Sequence, residues 1–207
     1  MFLSEQLNHT NAEVIYLDFS PSSMKIAKLR AKMRSLSNII FVRDAIENIP
    51  KLNIGRFDFI QCSGVLHHLK HPTLGLFTLK DVLKLNGGMD LMVYGSIGRV
   101  GVYQLQHILS LMNGAYKGIV SELKNAKTLL AAIPKTNWFK KVEHDIADHK
   151  TLGNAGIYDL LLHKRDVSYS IMQLEAWTKS AGIVIVKYCD NSVVPFNSES
   201  EQINGLT

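Results

Sequence analysis

The stretch "AEVIYLDFSPSSMKIAKLRA" (12–31) passes from a strand pattern to a helix pattern at a carboxylate. Its first part, "EVIYLDFS" (13–20), is a short apolar run rich in β-formers that ends on Asp18. Ser20 then offers an N-cap and Pro21 suits the first helical position, so a helix is expected over 20–36. Met24, Ala27 and Ala31 share one stripe of that helix, with Lys and Arg on the other side.

The same alternation continues outward. "NIIFVRDA" (38–45) reads as a strand ending at the acid Asp44, and "FDFIQCSG" (57–64) as a third strand. "PTLGLFTLKDVLKL" (72–85) reads as a helix, "NGG" (86–88) as a turn and "MDLMVYG" (89–95) as a strand. Residues 99–165 carry helical patterns such as "VYQLQHILSLM" and "SELKNAKTLLAAI" with little strand signal, and read as an inserted helical subdomain. The α/β pattern then returns with a helix over "SIMQLEAWTKSAG" (170–182), closed by Gly182, and a strand over "IVIVKYC" (183–189). Alternating strands and helices signal an α/β sheet. The expected organisation is a cofactor-binding region over 1–98, the helical insertion or lid over 99–165, a return to the sheet over 166–192 and a polar, frayed tail over 193–207.

The chain has 207 residues, of which 46% are hydrophobic and 20% charged, a composition suited to a soluble domain with its own core. Its apolar stretches are too short to span a bilayer, and "MFLSEQLNHTNAEV" lacks the features of a signal peptide. No membrane partner is expected. Two cysteines, Cys62 and Cys189, form no disulfide framework, which suits a reducing, cytoplasmic setting. The net charge of +5 comes from scattered residues. "NWFKK" (137–141) is the nearest approach to a basic, aromatic stripe, and it is too short to argue for nucleic acid.

Ligands of parallel α/β sheets bind at the carboxyl ends of the strands. A carboxylate there, as at Asp18, accepts hydrogen bonds from both hydroxyls of a ribose, and the next, Asp44, suits an adenine amino group. Acids in these places also serve as helix N-caps. The histidines of "DFIQCSGVLHHLKHP" (58–72) do not make a metal site, since His67 and His68 are adjacent and His71 precedes Pro72 in a loop. His67 as a general base is a further reading.

Together, "AEVIYLDFSPSSMKIAKLRA", "NIIFVRDAIENIP", "FDFIQCSGVLHHLKHPTLGLFTLKDVLKLNGG" and "LMVYGSIGRVGVYQLQ" resemble the class I S-adenosylmethionine-dependent methyltransferases. The resemblance is to the bacterial-type branch whose fourth-strand motif reads "SGVLHH". It covers 12–107 and extends more loosely through "IPKTNWF" and "YDLLLHKRDVSYSIMQLEAWTKSAGI". It implies a Rossmann-like sheet with a helical insertion after the fifth strand, S-adenosylmethionine as cofactor, and methyl transfer to an acceptor that the sequence leaves open. It further implies that Asp18 holds the ribose, that Asp44 and Ala45 meet the adenine, and that Phe19 and Met24 pack nearby. Backbone around Cys62, Ser63 and Gly64 would face the methionine part, with His68 as a wall of the pocket. Tyr103, Trp138, Arg165 and Tyr169 become acceptor-side candidates, although Trp138 and Phe139 suit lid core better than an aromatic cage.

One element of that family is missing. No G-x-G loop occurs anywhere in the chain, and the series Gly95, Gly98 and Gly101 has the wrong spacing and place. The segment that follows that loop in the family, "FLSEQLNHTNA", starts at residue 2, so the first, central strand is expected to be lacking as well. Its absence would leave two strands with unpaired inner edges or force them to pair directly. The preferred explanation is an N-terminally incomplete piece of a longer protein. The others are a degenerate relative that has lost catalysis, and a sheet completed by a partner or a second copy. The functional readings are a methyltransferase that is weak or inactive in this form and a non-catalytic, methyltransferase-like binding or scaffolding protein. A nucleotide-binding dehydrogenase ranks lower, because it too needs a glycine loop.

Overall fold

The structure, a computed structural model, describes residues 2–115 and 118–189. It divides into two compact units, Met1–Met92 and Val93–Thr207.

The first unit runs α1 (Phe2–Gln6), β1 (Val14–Leu17), α2 (Pro21–Met33), β2 (Ile39–Val42), a 3-10 turn (Ile46–Asn48), α3 (Ile49–Leu52), β3 (Phe57–Ser63), a second 3-10 turn (Leu66–His68), α4 (Pro72–Asp81) and β4 (Leu83–Met92). Helix α2 starts where its cap residues direct it. The Ser20 hydroxyl accepts from the Ser23 amide at 3.2 Å, and Pro21 occupies the first turn, where an amide hydrogen is not needed. Met24, Ala27 and Ala31 form its buried face. Helix α4 begins at Pro72 and buries Gly75, Leu76, Thr78 and Leu79. Gly75 permits close packing there, since a Cβ would press on Leu66 Cδ2 at 3.1 Å and overlap Leu69 Cδ1.

The strands pair in parallel, each pair connected through a helix. β1 lies beside β2 with Val14 opposite Ile39 and Leu17 opposite Val42. β3 lies beside β4 with Phe57 opposite Leu83 and Ser63 opposite Met92. Among the described residues no ladder joins the two pairs. Helix α4 lies close to both pairs, beside the Ile46–Asn48 turn and α3 on the β2 side and the Leu66–His68 turn on the β3 side.

The expected helix over 72–85 and turn at Asn86–Gly88 are corrected. α4 stops at Asp81, and the "NGG" lies inside β4. Pairing starts early because the Phe57 amide donates to the Val82 carbonyl at 2.8 Å. The register then slips, so that Leu83 to Gly88 on β4 stands against Phe57 to Phe59 on β3. Gly87 makes the detour possible, since a Cβ would stand 3.0 Å from the Asp58 carbonyl oxygen.

The second unit runs β5 (Tyr94–Gly95), α5 (Val100–Asn113), α6 (Ile119–Ala132), α7 (Trp138–Val142), α8 (Asp148–Thr151), α9 (Gly153–Ile157), a π-helical turn (Tyr158–Leu162), β6 (Ser168–Tyr169) and α10 (Ile171–Ser180). Residues 99–165 contain no strand among those described. Val102, Leu105, Leu109, Ala126, Phe139, Ile157, Leu160 and Leu161 form one core cluster. β5 and β6 pair in parallel, Tyr94 opposite Ser168. A capping box starts α10: Ser170 accepts from the Gln173 amide at 3.2 Å while the Gln173 side chain accepts from the Ser170 amide at 2.8 Å.

The strand expected over 183–189 is also corrected, because those residues form no ladder. The Ile183 amide closes the end of α10 on the Thr178 carbonyl at 3.0 Å, and Val184 and Val186 are exposed. β-propensity becomes a strand only against a partner edge, and none stands beside this segment among the described residues. The polar tail expected at 193–207 lies outside the described residues.

Candidate cofactor site

Parallel pairing of β1 and β2 brings their carboxyl ends to one edge, and with them Asp18 and Asp44. The Asp18 amide extends the ladder by donating to the Val42 carbonyl at 3.2 Å. Its carboxylate is oriented from two sides: Oδ1 accepts from the Ser20 amide at 2.8 Å and Oδ2 from the Tyr16 hydroxyl at 3.2 Å. Burial, then the Asp18 charge beside it, pushes the Tyr16 phenol above its ordinary pKa, which keeps that proton in place as a donor.

Asp44 is held locally. Its Oδ1 accepts from the Asn48 side-chain amide at 2.7 Å and from the Ala45 backbone at 2.8 Å. These bonds, that from Asn48 first, lower its pKa and keep it ionised. Oδ2 accepts no hydrogen bond from the described residues and can receive an amino group. The two acids therefore stand side by side as fixed hydrogen-bond acceptors, each with lone pairs to spare.

The carboxyl end of β3 supplies the other candidates. Cys62 is buried, and burial pushes its thiol up to about 11, so it is not a nucleophile at neutral pH. Ser63 is exposed. Gly64 adopts φ +75°, a left-handed conformation that favours glycine, and its amide donates to the Met92 carbonyl at 3.0 Å. His67 is fully buried and His68 half-buried, with ring centroids 4.1 Å apart. Phe19 is exposed beside Asp18, whereas Met24 is committed to the buried face of α2. Among the described residues, no group of three or more His, Cys, Asp or Glu side chains could hold a metal ion.

The acceptor-side candidates in the second unit do not converge. The Tyr103 hydroxyl donates to Asp166 Oδ1 at 3.2 Å, and Tyr169 stacks on Trp177 at 4.7 Å. Trp138 and Arg165 are exposed, while Phe139 is buried in the core cluster of the second unit. Sequence reasoning missed three contributors. Tyr16 could have been found from its two-residue spacing to Asp18, which puts both on one face of a strand. Asn48 gave a weaker signal, four residues after Asp44. Arg99, buried against Asp166 with its guanidinium 3.6 Å from the Tyr94 ring centre, gave none.

Residues 1–89 match the sequence model of a family described as "Methyltransferase domain". An uncharacterized protein of Synechococcus sp. is 26% identical over 191 residues, covering 90% of this chain and 46% of that protein. The mitochondrial ubiquinone biosynthesis O-methyltransferase of Schizosaccharomyces pombe is 30% identical over 93 residues, 43% of this chain and 32% of that protein. In fold, the chain is similar to the structure of PKMT2 from Rickettsia typhi in complex with AdoHcy, with TM-score 0.59 and 14% identity over 86% of this chain and 35% of that one. The chain thus spans less than half the length of each of these relatives. The matched region coincides with the α/β unit that carries Asp18 and Asp44, so the likeness to a methyltransferase domain is a likeness of that unit.

Proposed function

We propose that the first unit is the nucleoside-binding part of an S-adenosylmethionine-dependent methyltransferase. The observation that supports this most is the pair of oriented carboxylates, Asp18 and Asp44, at neighbouring parallel strand ends. Asp18 accepts from the ribose hydroxyls, Asp44 and the Ala45 backbone meet the adenine, and the exposed Phe19 ring covers it. Backbone at Cys62, Ser63 and Gly64 faces the methionine portion, with His68 beside it. When bound, S-adenosylmethionine supplies a sulfonium methyl group open to direct displacement by an acceptor nucleophile. The protein contributes positioning and exclusion of water. The helical second unit is the acceptor side.

The residues fit the nucleoside end of the cofactor better than the methionine end. No two glycines in the chain stand two apart, so the G-x-G turn that lets backbone approach the cofactor is missing. Two separate parallel pairs are what a sheet without its central strand would leave, and this supports weak or absent binding by the 207 residues alone. The same observation favours a second reading, a non-catalytic methyltransferase-like protein that acts by binding.

Calorimetric titration of S-adenosylmethionine into the chain, with a thermal melt beside it, tests these readings. Saturable binding with a raised Tm supports a working pocket. A sharp melt without binding favours the non-catalytic protein. No binding and no cooperative melt identifies a domain that needs further sequence or a partner copy, and appending a strand with a G-x-G loop should then restore binding.

A further inference from the structure

Helix α2 has two apolar faces. Met24, Ala27 and Ala31 are its buried inner face. Ile26, Leu29 and Met33 lie on the other side with 50%, 53% and 85% of their surface exposed. At about 100° per residue, the centre of this outer stripe falls roughly 160° around the axis from the inner face. Cations border the stripe on both sides, Lys25 and Lys32 along one flank and Arg30 along the other, and all three are exposed. The helix contains no acid, and no described carboxylate pairs with these three residues. Single exposed apolar residues are ordinary. Three in register, flanked by long cationic side chains and opposite an already satisfied inner face, are not required for packing this helix.

We propose that this outer face of α2 docks the chain on an anionic lipid bilayer, with Ile26, Leu29 and Met33 entering the acyl boundary and Lys25, Lys32 and Arg30 reaching lipid phosphates. Cationic side chains at the edge of such a stripe can bury their stems along apolar surface and keep their charges at headgroup level. The stripe is convex and one side chain wide, which suits a soft planar surface better than a partner helix that would need a groove. A second copy of the same face would bring like charges together. The apolar centre carries neither rings to stack on bases nor polar groups to read them, so it does not suit nucleic acid. The sequence-based expectation of no membrane partner rested on the lack of a spanning stretch, and no described helix is long and apolar enough to cross. A helix lying on the surface is a different contact, and it does not depend on cofactor binding.

Co-sedimentation of the 207-residue chain with vesicles tests the proposal. At low salt, phosphatidylcholine vesicles containing about 30% phosphatidylserine should retain the chain at least tenfold better than phosphatidylcholine alone. Each cation near a surface of this kind is worth about fivefold in partition, so Lys25→Glu/Lys32→Glu should reduce retention by more than tenfold. Leu29→Ser/Met33→Ser should also reduce it, and because all four side chains are exposed both variants should melt like the parent. Equal retention on neutral vesicles would overturn the proposal. So would anionic retention unchanged in both variants, or capture by duplex RNA or an acidic peptide with none on vesicles.

Discussion

Arg99 and Asp166, 67 residues apart in the chain, form an ion pair whose side chains are only 6% and 3% exposed. The Tyr103 hydroxyl and the Gln106 side chain also donate to Asp166, at 3.2 and 3.1 Å, and the Tyr94 ring covers the guanidinium. Every strong partner of Asp166 therefore comes from α5 or its N-terminal flank.

Removing one member leaves a buried charge without its counterpart. Arg99→Met or Asp166→Asn should each destabilise the second unit by about 3–5 kcal/mol. Arg99→Met/Asp166→Leu should recover much of that loss, because two apolar side chains of similar volume carry no desolvation penalty. Urea denaturation of the three variants checks this, and additive losses in the double variant would refute it.

Glu143 gives the second unit an acid-sensitive joint. It accepts from Lys140 at 2.8 Å and from His149 and Lys150 at 2.9 Å. Burial alone would raise its pKa, but the three charge-assisted contacts outweigh burial and lower it from 4.5 to about 2. A carboxylate with a depressed folded pKa stabilises fully above its unfolded value and loses that contribution as pH falls through the folded one. Glu143→Gln should thus lower stability by about 1–3 kcal/mol near neutrality. The gap from the parent should close between pH 4.5 and about 2, as thermal melts across that range would show.

The two cysteines should differ sharply toward alkylating reagents. Cys62 is buried with its pKa pushed up to about 11, whereas Cys189 is exposed. Iodoacetamide at pH 8 should label Cys189 and leave Cys62 unmodified until the chain is unfolded, which peptide mass spectrometry reads directly. Early modification of Cys62 would place the end of β3 at the surface.

Gly101 should not tolerate a side chain. An added Cβ would stand 2.5 Å from the Phe139 amide nitrogen and 2.7 Å from its Cα, both backbone atoms of α7. Gly101→Ala should cost at least 1–3 kcal/mol, roughly the price of overpacking, where an open helical site would gain from the same change. Chemical denaturation measures it, and a neutral result would mean that α7 does not pack this closely on α5.

In any form of the protein that binds S-adenosylmethionine, Asp18→Ala should weaken binding by about 1–3 kcal/mol through lost charge-assisted hydrogen bonds. Tyr16→Phe should weaken it less, because it removes only one of the two bonds that orient Asp18. Calorimetry gives both values, and an unchanged affinity in Asp18→Ala would remove that residue from the site.

Much of the first unit and of the acid pair was legible in sequence because the determinants are local. Ser20 and Pro21 start α2, the three-to-four-residue spacing of Met24, Ala27 and Ala31 sets its buried face, and a β-rich run ending on Asp18 marks a strand end. Ser170 and Gln173 announce α10 in the same way. What tertiary structure decided depends on partners distant in the chain. Phe57 recruits Val82 and draws the "NGG" into β4, while residues 183–189, of higher β-propensity, form no strand and have no partner edge among the described residues. Arg99 meets Asp166 only after α5 and the chain preceding β6 have packed. Caps and periodic stripes are written within a few residues, whereas ladders and buried charge pairs exist only when the fold brings both halves together.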